Sequence, residues 1–543
     1  MCGIYFYSGD LSKFDIREFQ KLEPRGPDAS RLEIIDGMIF GFHRLAINDT
    51  SPLGMQPFVT ESSILICNGE IYNYKELSKE FKDVLVSSSD CEVIPHMIVK
   101  YGIAKTLEMI NGEFAFIYYD RYKKRLYVAN DHLGIRPLFY MITSEESVYI
   151  SSEIKAFPLN KDSICRPFRL SPGSYGELVR ETNRGHLGNV VMKKTFLKTE
   201  KYYELPASEQ LYTESNYDFY LKKIKDSLIT AVKSRLECVE SSEMIGFCLS
   251  GGLDSSLVVA IARHILGESA IIKTFSIGLK DSPDLEAARK VSEFLNTEHY
   301  ECLTTIEEML ETIDSVIETI ESFDVTTIRA STPNYLLAHF IKSSNPDIKV
   351  VLSGECSDEI CGYKYLKLAP NQDEFDKETR KLLTNISKFD VTRADRCISS
   401  AGLECRVPFM DKNFINTIME MPVEIKYQPQ EIEKKAFRDA FIGFLPQDIL
   451  FRPKDAFSDA VGLNWVDHLI NKFESYKFKN NFAFAVPQPK TKEAIYYRQV
   501  FTNRYSMMAD YLYPEYWMPN PNWIPKLEDP SARFINIHTQ HKN

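Results

Sequence analysis

The chain begins with short apolar runs and takes on a helical rhythm only later. Ile64-Leu65-Ile66-Cys67, Phe114 to Tyr118, Arg125 to Val128 and Ser147 to Ile150 are brief and rich in β-branched and aromatic residues. Runs of that kind predict strands. Between them the pattern from Glu92 to Tyr101 predicts a helix, so the first part reads as packed sheets flanked by helices. Lys194 to Asn216 is polar, Tyr-rich and weakly periodic, and predicts a linker. Beyond it the texture alternates. Strands are expected at Glu243–Leu249, Ile271–Ile277 and Ile348–Leu352, and helices at Ser255–Leu266 and Leu285–Leu295. Such alternation predicts a parallel sheet with crossover helices. From about Phe375 helical patterns dominate, and Pro519–Asn543 reads as a tail. The expected division is 1–200 and 201–543.

Composition narrows the class. A chain of 543 residues is too long for one core. No run of about 18 apolar residues predicts a membrane span, and no basic-then-apolar N-terminus predicts a signal peptide. The formal charge of −11 disfavours nonspecific nucleic-acid binding. The 11 cysteines are scattered, with no C-x-x-C pair. That fits a reducing cytoplasm rather than a disulfide framework or a zinc site.

Two features carry chemistry. The first is Cys2 in Met1-Cys2-Gly3-Ile4. Loss of Met1 would leave a thiol and a free α-amine on one residue, and an amine with a pKa of about 7.7–8 can take the thiol proton. The second is Ser250-Gly251-Gly252-Leu253-Asp254-Ser255-Ser256, which follows an apolar strand and opens a helix. There, backbone N–H groups, serine hydroxyls and the helix dipole favour an anion. Asp254 would repel phosphate, so Mg²⁺ is a natural companion. The loop is not a P-loop, because G-x-x-x-x-G-K-[ST] does not occur there. Gly278-Leu279 and Ser353-Gly354-Glu355 also follow strands. All three turns are expected to line one crevice beyond the carboxyl ends of the strands, holding a nucleotide.

The chain closely resembles the glutamine-hydrolysing asparagine synthetases over nearly its whole length. The first part matches in Met1 to Ile4, Arg25-Gly26-Pro27-Asp28, Arg44-Leu45, Asn68 to Asn73, Ser89 to Glu92 and Asp131 to Leu138. The second matches in the Ser250 heptapeptide, Ser282 to Leu285, Asp324 to Pro333, Leu352 to Glu355, Ser357-Asp358-Glu359, Arg406 to Phe409, Lys454 and Phe457-Ser458-Asp459. The resemblance implies an N-terminal-nucleophile hydrolase sandwich (αββα) of the class II glutamine amidotransferases, followed by an α/β ATP-pyrophosphatase domain. It implies ATP-dependent synthesis of asparagine from aspartate, with ammonia taken from glutamine, through β-aspartyl-AMP and with pyrophosphate released.

By the same resemblance Cys2 is the nucleophile, and Asn68 and Gly69 form the oxyanion hole. Arg44 holds the glutamine carboxylate, while Glu70 and Asp90 hold its amine. Leu249, Ser250, Gly251, Gly252, Asp254, Ser255, Ser256, Ile277, Ser353 and Gly354 bind ATP and pyrophosphate. Thr326, Thr327 and Arg329 are expected to bind aspartate, and Asp254 and Asp358 to bind Mg²⁺. Glu355 acts in acyl-adenylate formation and proton handling, and Lys454 faces the phosphate charge. A homodimer and an internal ammonia passage are further implications. The chain departs from the family pattern at Pro24, Asn130, Cys356 and the shortened Cys361-Gly362-Tyr363. Two other readings stand beside this one: a different ATP-dependent amide ligase on the same scaffold, and a non-catalytic assembly protein.

Overall fold

The computed structural model describes residues 1–159, 165–184, 191–208, 216–453, 465–476, 486–505 and 507–524. The chain divides into two compact units. One is Met1–Glu204 with Thr502–Leu512; the other is Leu205–Phe501 with residues from Tyr513 onward.

Among its described residues the first unit holds twelve strands: β1 (Gly3–Ser8), β2 (Ala29–Ile35), β3 (Met38–Arg44), β4 (Phe58–Val59), β5 (Ser63–Ile71), β6 (Gly112–Asp120), β7 (Arg125–Asn130), β8 (Phe139–Ile142), β9 (Val148–Ser151), β10 (Pro167–Arg169), β11 (Ser174–Arg184) and β12 (Val191–Lys201). They form two six-stranded sheets with orders β10-β8-β9-β1-β3-β2 and β12-β11-β7-β6-β5-β4. Ile4, Phe6, Phe40 and Phe42 of one sheet pack with Ile64, Ile66, Ala115 and Ile117 of the other. On the outer face of the second sheet, Leu65, Phe114, Phe116 and Tyr118 meet Val93, Ile94, Met97 and Leu107 from the helices Val93–Tyr101 and Ile103–Met109. Burial on both faces explains why β5 and β6 read as unbroken apolar runs rather than alternating ones.

One expectation fails here. Lys194–Lys201 is not linker but most of β12, paired residue for residue with β11 from Ser174↔Lys201 to Arg184↔Val191. β12 is an edge strand. Backbone pairing holds it and its polar side chains face water, so it leaves no apolar period to read.

The second unit carries a five-stranded sheet: β13 (Ile245–Cys248), β14 (Lys273–Gly278), β15 (Glu298–Leu303), β16 (Val350–Leu352) and β17 (Glu404–Arg406), in the order β15-β14-β13-β16-β17. Every pairing is parallel. From β13 the chain crosses through the helix Leu253–Leu266 to β14, and through Pro283–Leu295 to β15. β16 then pairs on the other side of β13. The strand order therefore reverses between β13 and β16, and in open α/β sheets ligands bind at that point. The turns after these two strands are the Ser250 loop and Ser353-Gly354-Glu355. The segment Asp324–Pro333 is helical from Val325, with Asp324 as its cap.

Candidate functional site

In the first unit, Cys2 lies immediately before β1 and packs against the inter-sheet core. Its Sγ is 3.4 Å from the Leu45 backbone N–H. Arg25 fixes the segment: its Nε donates to the Cys2 carbonyl at 2.9 Å, and its Nη1 to the buried Glu153 at 2.6 Å. Met1 is fully buried, with its Sδ 3.6 Å from Arg25 Nη2.

Ile64, Ile66 and Asn68 alternate along β5, so Asn68 shares the face that builds the inter-sheet core. Its side-chain amide is completely buried, and neither its nitrogen nor its oxygen has a hydrogen-bond partner among the described residues. A buried amide left that way costs about 1–3 kcal/mol, so the site holds an unused donor. Glu70 and Asp90 are both buried. The Asn48 side chain spans them, donating to Glu70 Oε2 at 2.6 Å and reaching Asp90 Oδ1 at 3.5 Å. Asp90 also accepts the Ile71 N–H at 2.7 Å. Buried Arg44 braces the Asp49–Ser51 loop, donating to the carbonyls of Ser51, at 2.7 Å, and Asp49. Asn48 carried no signal in the sequence, since a lone asparagine in a polar turn points nowhere.

In the second unit one cavity is lined by Leu249, Ser250, Gly252, Asp254, Ser255, Ile277, Thr326, Thr327, Ser353, Gly354, Glu355 and Asp358. Residues from three strand ends thus share one crevice, but the β14 end contributes Ser276 and Ile277 of the strand itself, and the expected Gly278-Leu279 turn is not in the lining. Two glycines make it possible. Gly251 has φ +72, and a Cβ there would lie 2.4 Å from the Ala288 backbone nitrogen. At Gly354 a Cβ would come 2.4 Å from the Ser255 nitrogen, so the β16 turn packs directly on the loop. The serines order the loop: Ser255 Oγ accepts the Ser250 N–H at 3.1 Å and lies 3.0 Å from Ser250 Oγ. Arg452, which also lines the cavity, braces the loop by donating to the Gly251 carbonyl at 3.2 Å and to Asp284 at 2.9 Å. Ser256 Oγ is buried without a partner among the described residues.

Glu355 receives the Asn334 amide and lies 3.4 Å from Arg393 Nε; Arg393 also pairs with Asp390 at 3.0 Å. Burial, then the carboxylates of Asp390 and Asp358, push Glu359 well above the usual carboxylate range. Asp254 and Asp358 each lie 2.7 Å from one ammonium, that of Lys434. Both offer the hard oxygens that Mg²⁺ takes, and the donor set contains no sulfur or imidazole. Asn334, Arg393 and Lys434 had no motif to mark them; Lys434 stands in a short charged run that reads as solvated surface.

The expected aspartate-binding residues separate. Thr326 and Thr327 line the cavity, and Thr326 Oγ1 is buried without a partner among the described residues. Thr327 Oγ1 donates to Asp324 at 2.8 Å. Arg329 does not line the cavity. Its guanidinium is closed on Glu493, with contacts of 2.9 and 2.6 Å, and both residues are buried. Thr326, Thr327, Ala330, Asn334 and Leu337 define the face toward the crevice, and Arg329 falls at the margin of that face, where Glu493 takes its guanidinium. Lys454 and Phe457-Ser458-Asp459 lie outside the described residues.

Two of the departures, Cys356 and Asn130, have a definite local setting. Cys356 has φ +68, a conformation where glycine is the easy residue. Asn130 ties the end of β7 to the turn before β11 through its contact with the Leu170 carbonyl at 3.3 Å. Neither Cys356 nor Cys361 is disulfide-bonded.

Comparison with known proteins adds the following. A family model described as glutamine amidotransferase domain matches residues 1–167, and one described as asparagine synthase matches 223–376 and 364–511. The chain is 40% identical to the probable asparagine synthetase [glutamine-hydrolyzing] of Acanthamoeba polyphaga mimivirus, over 99% of this chain and 100% of that protein. It is 38% identical to the asparagine synthetases [glutamine-hydrolyzing] of Rattus norvegicus and Homo sapiens, over 98% of both chains in each case.

Proposed function

This chain belongs to the glutamine-hydrolysing asparagine synthetases, and on that premise we propose the part each residue plays. The enzyme makes asparagine from aspartate, spending ATP and drawing its nitrogen from glutamine.

In the glutaminase site, removal of Met1 exposes the Cys2 α-amine. That amine accepts the thiol proton, and the thiolate attacks the side-chain carbonyl of glutamine. Negative charge then develops on the carbonyl oxygen, where the Asn68 amide and the Gly69 N–H receive it; collapse breaks the C–N bond, the α-ammonium returns its proton to the leaving ammonia, and water hydrolyses the thioester left on Cys2 to glutamate. The unpartnered Asn68 amide supports this role, since a donor already desolvated and waiting needs no reorganisation during reaction. Arg44 takes the glutamine carboxylate, and Glu70 and Asp90, linked through Asn48, take its amine.

In the synthetase site, the Ser250 loop holds the phosphates and Ser353 and Gly354 flank the nucleotide. The β-carboxylate of aspartate attacks the α-phosphorus, giving β-aspartyl-AMP and pyrophosphate. Ammonia then displaces AMP, and Glu355 takes the proton that nitrogen must lose. Asp254 and Asp358 would hold Mg²⁺, which supplies positive charge against the phosphates. Lys454 is assigned a further cation there. A cytoplasmic location fits the 11 cysteines, none of them disulfide-bonded. A homodimer is carried over from the resemblance alone.

The observation that carries this reading is the meeting of the Ser250 loop, Glu355 and Asp358 in one cavity, in a chain that also carries Cys2 directly after Met1. Incubation with glutamine, aspartate, ATP and Mg²⁺ should yield asparagine, AMP and pyrophosphate in equal amounts. Glutamine consumption without aspartate-dependent ATP cleavage would refute it.

A further inference from the structure

The two carboxylates assigned to the metal already share a partner. Lys434 Nζ lies 2.7 Å from Asp254 Oδ1, 2.7 Å from Asp358 Oδ1 and 2.8 Å from Ser357 Oγ. The ammonium donates to Asp254 Oδ1 and to Ser357 Oγ and is ion-paired with Asp358 Oδ1. The side chain is 1% exposed, and it lines the same cavity as the Ser250 loop. Its backbone is held at φ +60, a left-handed conformation that is strained for a residue with a side chain.

We propose that Lys434 is a built-in counter-ion that competes with the divalent cation for Asp254 and Asp358, so that metal enters this site only together with the nucleotide. Two carboxylates and one ammonium leave a net charge of −1, a poor attraction for a free divalent cation. Without the ammonium the two carboxylates carry −2, offset only in part by the Arg438 guanidinium that acts on both. The nucleotide resolves the competition, because its phosphates bring negative charge to which an ammonium released from the carboxylates can turn. Lys434 is thus a positioning residue: it keeps the carboxylates converged and guards them until the phosphates arrive. The inference rests on reading the Ser250 loop as the nucleotide site.

The test is a titration of full-length protein with Mn²⁺ alone, followed by the resonance of the free ion. Wild type should bind Mn²⁺ weakly and tighten on addition of pyrophosphate. Lys434→Met and Lys434→Gln should bind Mn²⁺ without pyrophosphate at least about tenfold more tightly than wild type. Asp358→Asn in the Lys434→Met background should abolish the gain. Thermal melts establish that each variant is folded. Equal Mn²⁺ affinity in wild type and folded variants would overturn the proposal, and so would tight Mn²⁺ binding by wild type without pyrophosphate, a measurement that needs no variant. Failure of wild type to bind ATP in the presence of Mg²⁺ would instead overturn the nucleotide reading itself.

Discussion

Asn68 shows what a single side chain reveals about its task. Its amide is buried and has no partner among the described residues, an arrangement that folding alone would disfavour. Asn68→Ala should therefore leave the fold intact and lower kcat for glutamine hydrolysis by about 10²–10³, with a smaller change in KM. Steady-state glutaminase kinetics check this. Cys356 is the opposite case, a residue whose backbone is the constraint. Its left-handed φ costs about 1–2 kcal/mol, while glycine would lose about 0.5–1 kcal/mol through chain entropy and forgo the buried thiol. These effects offset, so Cys356→Gly should change stability by less than about 1 kcal/mol. Cys356→Val should cost about 2 kcal/mol or more, because a β-branched residue fits that conformation worst. Chemical denaturation of both variants decides it. The motif residues Cys2, Asn68, Glu355 and Asp358 were legible because their neighbours in sequence form recognisable strings. Asn48, Asn334, Arg393 and Lys434 were not, because their roles come from atoms distant in the chain.

At the level of elements, the Ser250 loop proposed to hold the phosphates is packed directly against the turn after β16. Gly354→Ala would put a Cβ 2.4 Å from the Ser255 nitrogen, against backbone that cannot swing aside. Moving the loop by about 1 Å should reduce ATP-dependent synthesis by about 10² or more. Pyrophosphate release measures this, and glutamine hydrolysis should persist. Elements buried on both faces, such as β5, β6 and β13, announced themselves as apolar runs. β12 and β15 are sheet edges with polar faces, and β17 is three residues long with a buried Glu404–Arg406 pair at 2.8 Å. None of these carries enough apolar surface to mark a strand in sequence. The helix Val325–Ser344 likewise hid behind Pro333, which it contains, and behind a run of threonines at its start.

For the whole molecule the decisive feature is that two chemistries belong to two compact units. Cys2→Ala should abolish asparagine synthesis from glutamine and leave synthesis from added ammonia. Glu355→Gln should do the reverse, keeping glutamine hydrolysis while suppressing asparagine formation by about 10² or more from either nitrogen source. Parallel assays with glutamine and with ammonium salts test both, and loss of every activity in either variant would contradict the separation. The sequence by itself determined the family, the order of the two chemistries and the strings that carry them, because local patterning and short-range motifs are written in consecutive residues. Only the tertiary structure decided which side chains face each site. It turned Arg329 onto Glu493, linked Glu70 to Asp90 through Asn48, and set Lys434 between Asp254 and Asp358. Helix phase, strand order and charge pairing across long stretches of chain choose among residues that the sequence presents as equals.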